Sequence, residues 1–439
     1  MNQRRTLPEP QPTLKYQDER ASAWGQSMVF MRQAYPNMAL MTYDNIVHRG
    51  SEHVVLAKLV VGVGNESPTW LTWEACTAET TADNVPGGLV SRTVLADGGS
   101  LTAELYPLMA GRAPDAWEGG AVLRISCERE TGLWLKFGGG KIAFMHYSPN
   151  ISMAGDQIDC EESSAELDGS TVFLSHGTVP LFTAVSADAD FRVETLPEAV
   201  TGRGADCGAS CGAYAVAHTA RNQLCLTAGF ARSRERARQL AQTDAAAEIL
   251  RIQAYYRGLC EHWRLDTPSA NLNEAFTHAL YHLEYAWLEP YGWIESIQHW
   301  PTMWHMEHTA AEEWNGHSGR VKTCLTAQMQ RVFDNGAIPD LCPNGEGRRD
   351  WGGNNQFFLR EVLHYVRMTG DLDFAAQAEP FMERALKQSF AEYDPTGSGV
   401  IGWSTQIGNQ EDMESTPGKG AATGSEGVRM LEIMAELKE

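Results

Sequence analysis

The stretch SRERARQLAQTDAAAEILRIQAYYRGLCEHW, Ser233 to Trp263, marks the point at which the chain changes from strand-like to helix-like sequence. It is rich in Ala, Arg, Glu and Leu and has no Gly or Pro before Gly258, which predicts one long helix. Since the segments on its two sides differ in pattern, we expect this helix to connect an all-β region to an all-α region.

The region before this helix consists of short apolar runs separated by turn residues. Two examples are HVVLAKLVVGVG, His53 to Gly64, and NQLCLTAGFA, Asn222 to Ala231. Val, Ile, Leu, Thr and aromatic residues dominate these runs, as is typical of the strands of a β-sandwich. From residue 28 to residue 231 the region is long for one immunoglobulin-like domain, which predicts a larger two-sheet sandwich. The polar, proline-containing residues 1–27 are expected to form an N-terminal arm.

The region after this helix is predicted to be helical. In NLNEAFTHALYHLEYAWL, Asn271 to Leu288, large apolar residues recur at helical spacing and form one stripe. Loops that contain Gly, Pro or Asn separate most of the further predicted helices. These helices are expected over residues 304–314, 318–333, 354–368, 374–393 and 425–437. The sequence therefore predicts a β domain followed by an α domain.

Composition restricts the possible partners. The chain has 439 residues, 43% of them hydrophobic and 21% charged, as in globular proteins. A formal net charge of −21 argues against nucleic acid or an anionic membrane as the main partner, and leaves neutral substrates such as sugars open. The nine cysteines are scattered, and Cys207 and Cys211 have no second pair, so neither a metal site nor a cofactor is predicted. Reduced cysteines and the lack of an apolar leader predict a cytoplasmic protein.

The first candidate site is the loop GVIGWSTQIGNQEDMESTPGKGAATGSEG, Gly399 to Gly427. It places Glu411, Asp412 and Glu414 close together among polar residues, with Trp403 upstream. A loop of this length is uncommon inside a domain unless it is functional. Glycoside cleavage needs an acid that protonates the leaving oxygen, which carboxylates of this kind can supply. Taken alone, each carboxylate is more often a solvated surface group.

The second candidate is the segment YGWIESIQHWPTMWHMEHTAAEEW, Tyr291 to Trp314, which is dense in Trp and His. Indole rings stack on sugar rings, and neighbouring polar side chains bind hydroxyls. In a helix that begins near residue 303, Trp304, Glu307 and His308 share one face, and they are candidates for sugar binding. The alternative is that the tryptophans belong to the core. The histidine spacing does not favour a zinc site.

The third candidate is the loop at the start of GEGRRDWGGNNQFF, Gly345 to Phe358. Asp350 and Trp351 lie between glycines and directly before a predicted helix, a position from which they could contact a sugar. The alternative is a surface ion pair between Asp350 and the neighbouring arginines.

Several segments, in this order, resemble the six-hairpin glycosidases. LDTPSANLNEAFTHALYHLEYAW, Leu265 to Trp287, is similar to the first helix of their barrel. TAGFARSRERARQLAQ resembles their linker, and GRVKTCLTAQMQRVFDNGAIPDL and NNQFFLREVLHYVRMTGDLDFA resemble later helices. The resemblance implies an antiparallel β-supersandwich over 28–231, a linker helix over 232–264 and an (α/α)6-barrel domain over 265–439. Only about half of the toroid is accounted for, so we expect a fragment or a second chain that completes the barrel.

The same resemblance implies a glycoside hydrolase that cleaves a terminal sugar from an oligosaccharide or glycoside. By position Asp412 corresponds best to the general acid of this superfamily, and Glu411 is the alternative. Trp403 and Gln410, in the same loop, are expected to bind the substrate. Two other functions stay open: a glycoside phosphorylase of the same architecture, and a non-catalytic carbohydrate-binding or assembly protein.

Overall fold

The computed structural model describes most of the chain, with gaps. The described residues are 3–6, 23–24, 29–34, 37–42, 53–71, 76–109, 118–142, 158–159, 163–176, 179–194, 213–288, 290–293, 305–341, 347–348, 354–402 and 421–439. They divide into two compact units, Met1–Tyr285 and Ala286–Glu439. No helix among the described residues is both long enough and apolar enough to span a bilayer.

Within the described residues, eighteen strands precede the first helix. They are β1 (Gln3–Thr6), β2 (Ala23–Trp24), β3 (Val29–Ala34), β4 (Asn37–Thr42), β5 (His53–Val63), β6 (Thr69–Trp70), β7 (Cys76–Val85), β8 (Gly88–Leu95), β9 (Ser100–Pro107), β10 (Gly119–Cys127), β11 (Leu133–Ile142), β12 (Ile158–Asp159), β13 (Ser163–Asp168), β14 (Thr171–His176), β15 (Val179–Ala187), β16 (Asp190–Glu194), β17 (Tyr214–Thr219) and β18 (Gln223–Ala231). These strands end where the sequence predicts the change to helices.

The strands form two antiparallel sheets. The first sheet has the order β1-β7-β8-β9-β10-β18-β15-β14-β13. The second has the order β16-β17-β11-β5-β4-β3-β2, with β12 beside β11 and β6 beside β5. Alternate residues of both sheets, among them Leu105, Leu123, Leu135 and Phe137, meet in one buried cluster. Because side chains alternate between the faces of a strand, this cluster is the core between two packed sheets.

The described helices are α1 (Arg234–Ala241), α2 (Ala245–His262), α3 (Ala270–Ala286), α4 (His305–Trp314), α5 (Ser318–Met329), α6 (Asn354–Thr369), α7 (Leu372–Tyr393) and α8 (Ala421–Lys438). Two short hairpins lie among them, formed by β19 (Trp287–Leu288) with β20 (Gly292–Trp293) and by β21 (Asp340–Leu341) with β22 (Gly347–Arg348). The prediction of strands first and helices afterwards is confirmed. The domain boundaries derived from the resemblance stay predictions.

The prediction of one linker helix over residues 232–264 was wrong, because this segment forms two helices, α1 and α2. Asp244 caps α2 by accepting a hydrogen bond from the Ala247 N–H at 3.0 Å. Helix α1 packs on β15 and β18, whereas α2 packs on the turn between β7 and β8. α1 lies directly on β18, where a Cβ on Gly229 would come within 2.5 Å of Leu240. Side-chain capping and tertiary packing thus override the helix propensity of the segment.

Helix α2 lies against the hairpin that joins β7 to β8. Gly87, in that turn, has a φ of +74°, and a Cβ there would come within 2.2 Å of Ile252. Glycine therefore serves both the left-handed backbone and the close approach of the helix. Ile252 and Tyr256 are buried there with Tyr106 in a second apolar cluster.

Candidate functional site

Most of the candidate site residues lie outside the described residues. These are Trp304, Asp350, Trp351, Trp403, Gln410, Glu411 and Asp412. Glu307 lies in α4, but its side chain is outside the described part of the structure. His308 is the one candidate whose side chain is described. In the sequence, the segments that carry these residues directly precede three described helices, α4, α6 and α8.

Helices α4 and α6 run in the same direction. Near the start of α5, Lys322 donates a 2.7 Å hydrogen bond to Asp371, which follows the end of α6. Beyond the end of α5, the Ile338 N–H donates at 2.9 Å to Asn355, at the start of α6. These contacts make α5 and α6 antiparallel. Since the three residues 315–317 turn the chain from α4 into the adjacent α5, α4 is antiparallel to α5 and parallel to α6.

Helix α8 runs in the same direction as well. Arg367, near the end of α6, donates to Glu436, near the end of α8, through two hydrogen bonds of 2.6 and 2.5 Å. Near the start of α8, Gly427 lies beside Phe390, which is in the last turn of α7. Since the two-residue turn from α6 makes α7 antiparallel to α6, α8 is parallel to α6. The N-termini of α4, α6 and α8 therefore lie at one end of the helical unit.

The three segments that carry most of the candidate residues directly precede these three N-termini in the sequence. Residues 294–304 precede α4, residues 349–353 precede α6, and residues 403–420 precede α8. Free backbone N–H groups at helix N-termini can bind acidic or hydroxyl groups.

The aromatic cluster of the second candidate segment is divided between the core and the surface. Trp293 is 2% exposed and packs against Trp287 with ring centroids 4.7 Å apart, so it belongs to the core. The half-buried His308 ring stacks on Trp293, with centroids 5.8 Å apart and planes at 11°. Trp314, at the end of α4, is 62% exposed. His308 is therefore held by a buried indole, whereas Trp314 is available to a ligand.

Two buried carboxyl groups, which sequence reasoning missed, face each other between α4 and α6. The Glu313 side chain is fully buried, and its Oε2 lies 2.9 Å from Nε2 of His364. Burial raises the pKa of Glu313 to about 7. Burial first, and then the Glu313 charge, raise the pKa of Glu361 well above its usual range. Burial, and next the Arg367 charge, lower the pKa of His364. Glu361 therefore favours its neutral form, and Glu313 favours its neutral form below about pH 7.

A signal for this cluster exists in the sequence of α6. In FFLREVLHYV, Phe357 to Val366, Glu361 interrupts an apolar stretch, and its neighbour Val362 is completely buried. A charged residue at such a position is either paired or neutral. Whether Glu361 is paired or neutral depends on the residues of the adjacent helices that contact it, and the sequence alone does not identify these residues.

Replacing Glu313 by Gln is expected to change how stability depends on pH. An acid with a raised pKa in the folded state stabilises the fold at low pH, and this contribution is lost as pH rises toward the folded pKa. Relative to Glu313→Gln, the wild-type free energy of unfolding should fall by about 2 kcal/mol between about pH 4.5 and pH 8. Urea denaturation at both pH values measures this difference. Glu432→Gln, at an exposed acid on α8, serves as the control. A difference that does not change with pH would contradict the neutral form of Glu313.

The next residue in the sequence before Glu313 is another buried acid, Glu312, which is paired with basic side chains at the start of α5. Its Oε2 lies 2.7 Å from Nδ1 of His317, and its Oε1 accepts a 3.2 Å hydrogen bond from Arg320. The Arg320 guanidinium also lies over the ring of Trp287, 5.3 Å from its centroid. A buried acid with such partners fixes the turn between α4 and α5. We assign it a structural role.

Comparison with solved structures shows a similar fold in a glycoside hydrolase. No protein-family model matches the sequence, and sequence comparison with curated proteins gives no match. The fold is similar to that of a bacterial glucoamylase solved in complex with acarbose, with a TM-score of 0.58 and 10% identity. This match covers 99% of this chain and 70% of that one.

Two further solved structures are glycoside hydrolases. A family GH92 inverting mannosidase from Bacteroides thetaiotaomicron has a TM-score of 0.45 and 12% identity, with 89% of this chain and 57% of that one covered. A family 81 glycoside hydrolase from Clostridium thermocellum has a TM-score of 0.19 and 12% identity, with coverage of 98% and 69%. At these scores only the glucoamylase bears on the fold. Two antiparallel sheets followed by a helical region, in a fold similar to that of the glucoamylase, are thus the confirmed part of the prediction.

Proposed function

We propose that the protein is a glycoside hydrolase that releases a terminal sugar from an oligosaccharide or glycoside by carboxylate acid–base catalysis. The observation that carries this proposal is the common direction of α4, α6 and α8. It brings together, at one end of the helical unit, the N-termini that directly follow the three candidate segments. The fold similarity to a glucoamylase supports the same class of reaction.

The proposed architecture is a β-supersandwich followed by part of an (α/α)6 toroid. Two features support it. The described β region consists of two large antiparallel sheets around one core. In the helical unit, α4, α6 and α8 pack side by side in parallel, and α5 and α7 run back between them. The N-terminal end of the parallel set is then the mouth of the sugar site.

In this proposal Asp412 protonates the leaving oxygen, and Glu411 holds a substrate hydroxyl or replaces Asp412 as the acid. A general acid must stay protonated near neutral pH, which burial and a like-charged neighbour achieve together. The indole rings of Trp304, Trp351 and Trp403 stack on sugar rings. The polar candidates that bind hydroxyls are Glu307, His308, Asp350 and Gln410. The stacking of His308 on Trp293 fixes its ring in advance of binding.

The proposal is tested by assaying the protein against a panel of nitrophenyl glycosides of different sugars and anomers, each with and without inorganic phosphate. The expected result is turnover of at least one exo-type substrate that does not depend on phosphate, with the free sugar as product. Turnover that requires phosphate and yields a sugar phosphate would assign the protein to the phosphorylases. Sugar binding without any turnover would assign it to the non-catalytic carbohydrate-binding proteins. Either of these two outcomes would overturn the hydrolase assignment.

A further inference from the structure

A groove of about 520 Å³ runs over α6 between α4 and α8. It lies toward the C-terminal halves of α4 and α6, because Trp314 and Arg367 are in the last turns of these helices. In the sequence, the candidate catalytic segments directly precede the opposite, N-terminal ends of the helices. Six of the side chains that line the groove are aromatic or can be charged: Trp314, Arg360, Glu361, His364, Arg367 and Arg429.

The floor of the groove contains a buried carboxyl oxygen that lacks a hydrogen-bond partner among the described residues. Glu361 is 2% exposed, lines the groove and leaves its Oε2 unpaired. Glu313, on the neighbouring helix α4, leaves its Oε1 without a hydrogen bond to any described residue and has its Oε2 2.9 Å from Nε2 of His364. A buried polar atom without a partner costs stability. A ligand hydroxyl at the floor of the groove would remove that cost.

The wall of the groove is basic, in contrast to the chain as a whole with its net charge of −21. Three arginines line it, together with His364, whose lowered pKa favours the uncharged ring, and with Glu361 as the acid. Arg367 and Arg429 are oriented by ion pairs with Glu436 and Glu432. The exposed Arg360 acts on Glu361 by its charge. Such a wall favours an anionic group on the ligand.

The remaining feature is Trp314, whose indole is largely exposed at the groove. Exposed indoles stack on sugar rings, and a cavity of this size lies within the range of about 300–1,000 Å³ that is usual for small-molecule sites. From these features we infer that the groove binds a small polyhydroxylated anion, a sugar ring that carries a carboxylate or a phosphate group. Its hydroxyls contact Glu361, its ring stacks on Trp314, and its anionic group is bound by Arg360.

Calorimetric titration of the full chain with four probes tests this inference. D-glucuronate or glucose 6-phosphate is expected to bind with one-to-one stoichiometry. Glucose lacks the anionic group and inorganic phosphate lacks the sugar ring, so each should bind at least about tenfold more weakly. The preferred anion distinguishes a uronic acid site from a sugar phosphate site. Binding of phosphate as strong as that of glucose 6-phosphate, or binding of no probe, would overturn the inference.

Two variants locate the binding. Arg360→Gln should weaken binding of the preferred anion at least about tenfold, and Trp314→Ala about fivefold, since both side chains are solvent-exposed and their loss should leave the fold intact. Arg264→Gln, at an exposed arginine outside the groove, is the matched control and should bind as wild type does. Unchanged affinity in Arg360→Gln would place the ligand elsewhere and refute the inference.

The pH dependence provides a separate readout. The titratable groups next to Glu313 are His364 and Glu361, both on α6. The Arg367 charge lowers the pKa of His364, and the Glu361 charge contributes to the raised pKa of Cys324 on α5. As pH rises through about 7, Glu313 gains a negative charge, and the affinity for the anion should fall. Glu313→Gln should remove most of this fall in affinity; if the fall persists unchanged, the proposed coupling is wrong.

Binding at the groove is independent of the proposed hydrolysis. Arg360→Gln should therefore leave turnover of neutral glycosides within about twofold of wild type.

Discussion

Replacing Asp412 by Asn is expected to lower kcat/KM for an unactivated oligosaccharide by about 10³-fold, the middle of the range for general acid–base catalysis. An amide has nearly the shape of the acid but cannot donate the catalytic proton to the leaving oxygen. Glu411→Gln should have a smaller effect and act mainly on KM, because in this assignment Glu411 contacts a hydroxyl. Initial rates over a range of substrate concentrations separate the two effects.

The matched control for this pair is Asp266→Asn, an isosteric change at an exposed acid in the first compact unit. It should keep wild-type kinetics, and all three variants should melt at the same temperature within a few degrees. If Glu411→Gln loses the activity and Asp412→Asn keeps it, the two roles are exchanged. If both variants keep it, the loop is not catalytic, and the assignment of the acid is wrong.

Replacing Asn355 by Leu is expected to lower the free energy of unfolding by about 3–4 kcal/mol, because several buried polar groups lose their partner together. Asn355 is buried in the first turn of α6. Its Oδ1 accepts from the Ile338 N–H at 2.9 Å, and its Nδ2 donates to Gln388 and Ser389, each at 2.7 Å. The side chain thus joins the start of α6 to α7 and to the chain that follows α5. Urea denaturation measures the loss.

A control for this change is available in the loop that follows α5. Asn335→Ala removes a single exposed hydrogen bond, which the Ala337 N–H donates to the side chain at 3.0 Å. It should cost no more than about 1 kcal/mol. Equal losses in the two variants would show that the Asn355 network does not hold the start of α6. Because residues 349–353 lead into this turn, Asn355→Leu should also reduce sugar binding at the proposed site.

Local sequence patterns predicted the order of the elements well. The strands end at Ala231 and α1 begins at Arg234, and α7 ends at Tyr393 as predicted. Each of these results rests on a strong local signal, namely apolar periodicity or turn residues at the boundary. The break between α1 and α2 was not predicted, since it depends on a cap at Asp244 and on packing against the sheet rather than on Gly or Pro.

The candidate site was less accessible from sequence. The density of Trp and His between Tyr291 and Trp314 does indicate an aromatic cluster, but the pattern cannot separate the buried Trp293 from the exposed Trp314. The facing carboxyls of Glu313 and Glu361 come from helices about fifty residues apart in sequence. Their neutral state is a property of the packed interior, so it becomes evident only once the helices are assembled.

The most direct test of the central claim, that the loop acid protonates the leaving oxygen, is the dependence of the Asp412→Asn defect on the leaving group. A dinitrophenyl group departs without protonation, whereas a sugar or an alkyl group requires it. The account predicts a loss of about 10³-fold on an alkyl glycoside or oligosaccharide and of less than about tenfold on the matching dinitrophenyl glycoside. An equal loss on both substrates would contradict it.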